Sequence, residues 1–248
     1  RVQLMANIDA AKIGKLCDTF SGVITGKHKE YIDTLKREVD VMYTIVGSRC
    51  NETVGDDKSD SWLFDKVEGA TFNYIYFKDF RVAEDIMWGG NLGMRAKEAV
   101  NTTFANLNFE NVSIFENNYN AGVIAGTATN CTFGYITTKF CDVTVDGRGA
   151  GGLAGKSVNS NYLVCVISLT SAAYADGSWG DARTGGVLGE SENDNFIACL
   201  NAGLVGGDSD EIGGIAGRSK NSYFTDCNNE YAVLFCAGEG SSRSEVYF

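Results

Sequence analysis

The chain has 248 residues, 44% of them hydrophobic, with 30 Gly, 8 Cys, one His, no Pro and a formal net charge of -11. That acidity excludes partners bound through phosphate backbones or anionic headgroups, and no apolar run approaches the ~20 residues of a membrane span, so neither nucleic acid nor membrane insertion is expected. Proline lacks a backbone donor and is shut out of central strands, so its absence suits a chain committed to hydrogen-bonded ladders.

In chain order, residues 1–20 read as a short amphipathic segment with Leu4, Ile8, Ile13 and Leu16 apolar. Such a segment suits a cap over the open end of a stack of strands. Residues 20–88 read as leading rungs. Within them FSGVITG is a strand with a Gly turn, whereas Ile32, Leu35, Val39 and Met42 fit one helix face as well as a strand. The stretch 51–61, NETVGDDKSDS, is a polar insertion, and Phe72, Tyr74 and Tyr76 alternate through a strand rich in β-formers.

Residues 89–248 carry five glycine-led repeats. The last Gly of each cluster falls at Gly93, Gly126, Gly155, Gly189 and Gly217, giving spacings of 33, 29, 34 and 28. Each is followed by an Asn (Asn101, Asn130, Asn159, Asn193, Asn221) and, three residues on, by an aromatic (Phe104, Phe133, Tyr162, Phe196, Phe224). Three further on stand Leu107, Ile136, Cys165, Cys199 and Cys227. The irregular period therefore lies in loops, and the unit core keeps its spacing.

A unit of about 30 residues cannot bury an apolar face alone, and stacking buries it. Equivalent strands then lie ~4.8 Å apart, so equivalent side chains stack. The Asn column is expected to form an axial amide ladder inside the stack, the aromatics to fill the interior beside it, and the glycines to permit tight corners and positive φ. Aromatic and Cys positions are three apart, so a bend must lie between them if both point inward.

The three complete copies, Gly151, Gly152, Leu153, Ala154, Gly155 to Cys165, its counterpart ending at Cys199, and Gly213, Gly214, Ile215, Ala216, Gly217 to Cys227, resemble the GLUG-type repeat of bacterial surface proteins. The resemblance implies a right-handed parallel β-helix that serves in adhesins and as accessory modules of large secreted proteins, some immunoglobulin-cleaving peptidases included, where the repeat is not the catalytic part. The copies at Gly93 and Gly126 depart from it in lacking the strand Cys.

Candidate sites are sparse. Cys165, Cys199 and Cys227 read as a column of buried small hydrophobes or as disulfides between adjacent rungs. No CxxC pair exists and His28, in GKHKE, is the sole His, so zinc is not expected and a Ser-His-Asp arrangement has little to recruit. The acid clusters Asp56, Asp57, Asp60 and Asp208, Asp210, Glu211 are what a β-helix polysaccharide lyase or glycoside hydrolase would use, yet solvated turns account for both. GGDSDE occurs once, whereas calcium repeats stack in copies, and no cofactor or metal is expected. Sequons stand at Asn51, Asn101, Asn111 and Asn130. A buried ladder amide carries no glycan, which leaves Asn51 and Asn111 as glycosylation candidates.

The expectation is one all-β domain over residues 1–248, a single-stranded right-handed parallel β-helix of about seven rungs with an N-terminal cap. Its expected role is a secreted or cell-surface, non-catalytic structural or adhesion module, partnering other extracellular proteins or glycans or self-associating into fibres. The alternative from another class is a β-helix carbohydrate-active enzyme.

Overall fold

Extended segments of this chain are interrupted every five residues by a residue in the left-handed region. In the turn that begins after Gly93 the interrupting residues are Asn101, Asn106 and Asn111, with φ of 49, 51 and 58°. The neighbouring turns repeat the pentad at Gly69, Tyr74 and Asp79, at Asn130, Tyr135 and Phe140, at Asn159 and Val164, at Asn193 and Ala198, and at Asn221 and Asp226. Each such residue reverses the inside-outside alternation of a strand, so the residue after it points inward again. Phe104, Leu107, Phe109, Val112 and Ile114 are all buried for this reason. The bend required between aromatic and Cys is found: Val164, with φ of 53°, lies between the buried Tyr162 and Cys165.

The computed structural model describes residues 1–10, 17–47, 63–84, 92–93, 96–116, 119–169, 171–176, 182–208, 211–230, 233–235 and 245–247. It is an all-β parallel solenoid of about five turns on the full glycine-led unit. Seven strands stack in one sheet, from Cys17–Phe20 and Phe64–Glu68 through Ala96–Val100, Ala125–Thr129, Ala154–Val158 and Leu188–Glu192 to Ala216–Lys220. The count of turns is thus somewhat lower than the seven rungs expected, although the seven-stranded sheet includes two leading strands. A third sheet stacks six short strands from Leu92–Gly93 to Glu245–Tyr247, and the remaining strands form a wide sheet that contains Thr71–Glu84, Thr103–Glu116, Thr132–Lys139 and Asn161–Ile167.

Among the described residues every strand pair is parallel except one hairpin, Lys27–Ile32 against Arg37–Val46. That hairpin occupies the segment that fitted helix or strand equally. At the N-terminal end Val2–Gln3 pairs with Val23–Thr25 and Ile8–Asp9 with Arg37–Val46, burying Leu4 and Ala10. The polar insertion 51–61 lies outside the described residues.

The interior is a set of columns. Phe72, Phe104, Phe133, Tyr162, Phe196 and Phe224 stack face to face, with successive centroids 5.4, 5.1, 4.6, 4.9 and 4.6 Å apart and interplanar angles of 8, 18, 4, 13 and 6°. Burying each ring contributes roughly 2–3 kcal/mol, and the stacking adds about 1 kcal/mol per pair. Only at Phe224, 43% exposed, does the column meet solvent.

The glycine clusters work differently from expectation, because none of their described residues has positive φ. What they permit is close approach at the corner between the third sheet and the seven-stranded one. A Cβ on Gly151 would lie 2.0 Å from the Ala154 carbonyl oxygen, and one on Gly152 would lie 2.2 Å from that of Gly186 in the next turn. The motif is thus a steric requirement of two backbones stacked at a tight corner.

Candidate functional site

The Asn column is on the outside. Asn101, Asn130, Asn159, Asn193 and Asn221 are all exposed, each in the left-handed conformation that Asn tolerates better than other side-chain-bearing residues. Their backbone amides continue the turn-to-turn ladder, from Asn101 N to Thr129 O at 3.0 Å through Asn193 N to Lys220 O at 2.9 Å. The side chains do not form the interior ladder: the one axial amide bond in the column, Asn130 Nδ2 to Asn101 Oδ1 at 3.3 Å, is exposed. The reason is conformational, since a left-handed corner turns its Cβ outward and hands the inward position to the next residue.

That next residue carries the interior polar ladder that the sequence reading missed. Thr102 Oγ1 accepts from Ala70 N at 3.3 Å, Ser160 Oγ from Cys131 N at 3.0 Å, Asp194 Oδ1 from Ser160 N at 2.7 Å and Ser222 Oγ from Asp194 N at 3.0 Å. Asp194 is fully buried, and Ser157 Oγ and Ser191 Oγ also donate to it, at 3.1 and 2.8 Å. Burial outweighs these donors and pushes its carboxyl up to about 6. A true interior Asn ladder exists elsewhere, where the buried Asn201 donates to Asn229 at 2.8 Å across an in-register pair. Its signal was Asn two residues after Cys199 and again after Cys227.

The three strand cysteines stack in the core as free thiols, Cys165 and Cys199 buried and Cys227 half-buried. Cys165 Sγ donates to Phe133 O at 3.7 Å and Cys199 Sγ to Tyr162 O at 3.5 Å. The Cys199 thiol is pushed up to about 12, first by its bond with Cys165, and the Cys227 thiol is pushed higher still by Cys199. Burial raises Cys131 to about 11 and Cys141 to about 12. Shifts in this direction keep Cys131, Cys141, Cys199 and Cys227 in the thiol form at neutral pH.

His28 lies flat on Tyr43, centroids 3.8 Å apart at 9°, on the hairpin. Asp208 stands in register with Asp176 and Asp146 on successive turns, and no group of three metal-ligating side chains converges among the described residues. Asp56, Asp57, Asp60, Asp210 and the sequon Asn51 lie outside the described residues. Glu211 belongs to an ionic chain running across turns: Lys156 meets Glu190 at 3.1 Å, Arg183 bridges Glu190 at 3.1 Å and Glu211 at 3.0 Å, and Arg218 closes on Glu211 at 2.7 Å. Two carboxylates thus bracket an arginine on successive turns, but both are occupied by cations and Arg183 is 11% exposed. Of the sequons, Asn101 and Asn130 are exposed, so burial does not exclude a glycan there, whereas Asn111 is half-buried and donates to Asp79.

No protein-family profile matches the sequence, and no curated protein does. Among solved structures, one named IgA1 Protease superposes on 98% of this chain with a TM-score of 0.59 at 15% identity, and the chain spans 19% of that protein's length. A second, a protein from Bacteroides ovatus provisionally assigned as an immunoglobulin A1 protease, covers 98% of this chain and 76% of its own, with a TM-score of 0.46 at 15% identity. At such identity the likeness to the first is one of fold, a β-solenoid.

Proposed function

We propose that this chain is a non-catalytic extracellular module, a β-solenoid stalk or adhesin segment related to GLUG-type surface repeats. The observation that carries the reading is the assignment of its chemistry-bearing residues. Interior Ser, Thr, Cys and Asp side chains are committed to turn-to-turn hydrogen bonds, and the aromatic column packs the interior beside them. The resemblance of its repeats to adhesin modules supports the same reading, as does the chain's likeness to about a fifth of a much longer protein named IgA1 Protease. A module of that kind acts by presenting its outward surface at a distance from its anchor.

Protease shaving of intact source cells tests the location: peptides of this chain in the supernatant are expected, and their appearance only after lysis would overturn it. A second reading, a β-helix carbohydrate-active enzyme, is favoured by the placement of Glu190 and Glu211 about Arg183. Reducing-end or unsaturated-product release from polysaccharides by the purified chain, lost in Glu211→Gln, would establish that reading in place of the first.

A further inference from the structure

We infer that the Asn-bearing edge of the solenoid is a binding surface for an extended, neutral, linear polysaccharide. The inference deepens the adhesin reading and rests on it for its biological setting, but not for its chemistry. Two outward columns make up the edge. One is Asn101, Asn130, Asn159, Asn193 and Asn221; the other, two residues on, is Thr103, Thr132, Asn161, Asn195 and Tyr223, each in register with the next. The pairs read Asn-Thr, Asn-Thr, Asn-Asn, Asn-Asn, Asn-Tyr along the axis.

On the last three turns the five amides of Asn159, Asn161, Asn193, Asn195 and Asn221 make no side-chain hydrogen bond among the described residues, and Asn159, Asn161, Asn193 and Asn221 are exposed. Had the column formed the expected axial ladder, those donors and acceptors would be saturated. Instead their backbones fix them at the strand spacing of ~4.8 Å and their side chains remain available. An Asn amide is donor and acceptor at once, which is what a pair of neighbouring sugar hydroxyls complements. Extended β-1,4-linked chains advance per sugar by nearly the same distance as the strands, so successive sugars meet successive turns.

Charge selects the class further. Neither column holds an ionisable group of either sign except the Tyr223 phenol, and in the neighbouring column Glu192 and Lys220 close on each other at 2.6 Å. An anionic glycan would find no cation there, within a chain of net charge -11. Tyr223, 74% exposed at the end of the edge, offers a flat face against which a sugar ring can stack.

Isothermal titration calorimetry of the purified chain with cellohexaose and with chitohexaose tests this, the two arms separating a glucan from an N-acetylglucosamine polymer. At least one hexasaccharide is expected to bind, about fivefold to tenfold more tightly than its tetrasaccharide as further turns engage. The triple variant Asn159→Gly, Asn193→Gly, Asn221→Gly keeps the corner conformation, because Gly69 occupies the same position with φ of 62°. It is expected to lose binding at least about tenfold with an unchanged circular-dichroism spectrum. Should it melt early, Asn161→Val with Asn195→Val removes strand amides without touching a corner, and the same loss is expected. Absence of binding by both hexasaccharides at millimolar concentration overturns the inference, as does binding that survives both variants, and neither result bears on whether the chain is extracellular.

Discussion

Tyr162 is the position where the aromatic column is expected to gain from losing an atom. Its ring lies between Phe133, 4.6 Å away at 4°, and Phe196, 4.9 Å away at 13°, and the other five members of the column are Phe. The phenol oxygen is fully buried and has no hydrogen-bond partner of good geometry among the described residues, with Ser157 the nearby hydroxyl that acts on it. Burial, with Asp194 adding to it, holds the phenol well above its ordinary value, so it is a neutral, desolvated hydroxyl. Leaving such a group unsatisfied costs about 1–3 kcal/mol, against which removal of one oxygen from the stack forfeits little dispersion. Tyr162→Phe should therefore stabilise by ~1–2 kcal/mol, which in a domain of this size raises the melting temperature by roughly 2–8 °C. Scanning calorimetry of both proteins at one pH measures it. A fall in melting temperature would refute the reasoning, because it would mean that the hydroxyl is bonded in the fold, with Ser157 the neighbouring group to receive it. Comparing Tyr162→Phe in the Ser157→Ala background would then show the coupling.

The remaining predictions concern the buried Asp194, the corners and the glycines. The Asp194 carboxyl is raised from 3.8 to about 6, so the fold binds its proton more tightly than the unfolded chain does. Its contribution is fully present below about pH 4 and is lost as pH rises through 6, so relative to Asp194→Asn the parent should lose ~2 kcal/mol between pH 4 and pH 7 in denaturant titrations; a parallel pH dependence of the two proteins would refute it. Val164 is β-branched with φ of 53°, where Asn106 stands in the equivalent corner, so Val164→Asn should stabilise by ~1 kcal/mol on thermal melting. Gly152→Ala, whose Cβ would lie 2.2 Å from a backbone oxygen, should cost ~3 kcal/mol or more, while Gly134→Ala, with nothing within 4 Å, should be neutral or slightly stabilising. Equal melting of those two alanine variants would remove the steric account of the glycine motif.

Stacking was legible in the sequence because it repeats identical residue types at identical positions. The aromatic column, the bend before Cys165 and the placing of irregular lengths in loops all follow from a fixed spacing of Asn, aromatic and Cys. The facing of the Asn was not legible from that spacing, because the period assumed for a strand is two and the operative period here is five. Asn101, Asn106 and Asn111 spell that pentad openly, but other turns write it with Tyr135, Phe140, Val164 or Ala198, residues with no preference for a left-handed corner. Tertiary stacking overrides local propensity there, and the same override hid the polar ladder of Thr102, Ser160 and Asp194 one residue downstream. The role of the glycines is steric and not conformational, a distinction set by the Gly186 backbone one turn away and so invisible along the chain.

The pentad also divides the outer surface into two kinds of place. Along the Asn edge no turn inserts a residue between corner and strand: Thr132 with Asn161 and Asn195 with Tyr223 keep register without a slip, so whatever binds there must share the period of the strands. Between the wide sheet and the third sheet the connections vary freely, with two residues after Asp146, six after Asp176, two after Asp208 and nine after Phe235. A ligand read by those connections would be recognised by one turn and not the next. On the inference above, periodic recognition belongs to the Asn corner alone, and substitutions at Asn159, Asn193 and Asn221 that abolish it leave the connections at the other corner unaltered in sequence.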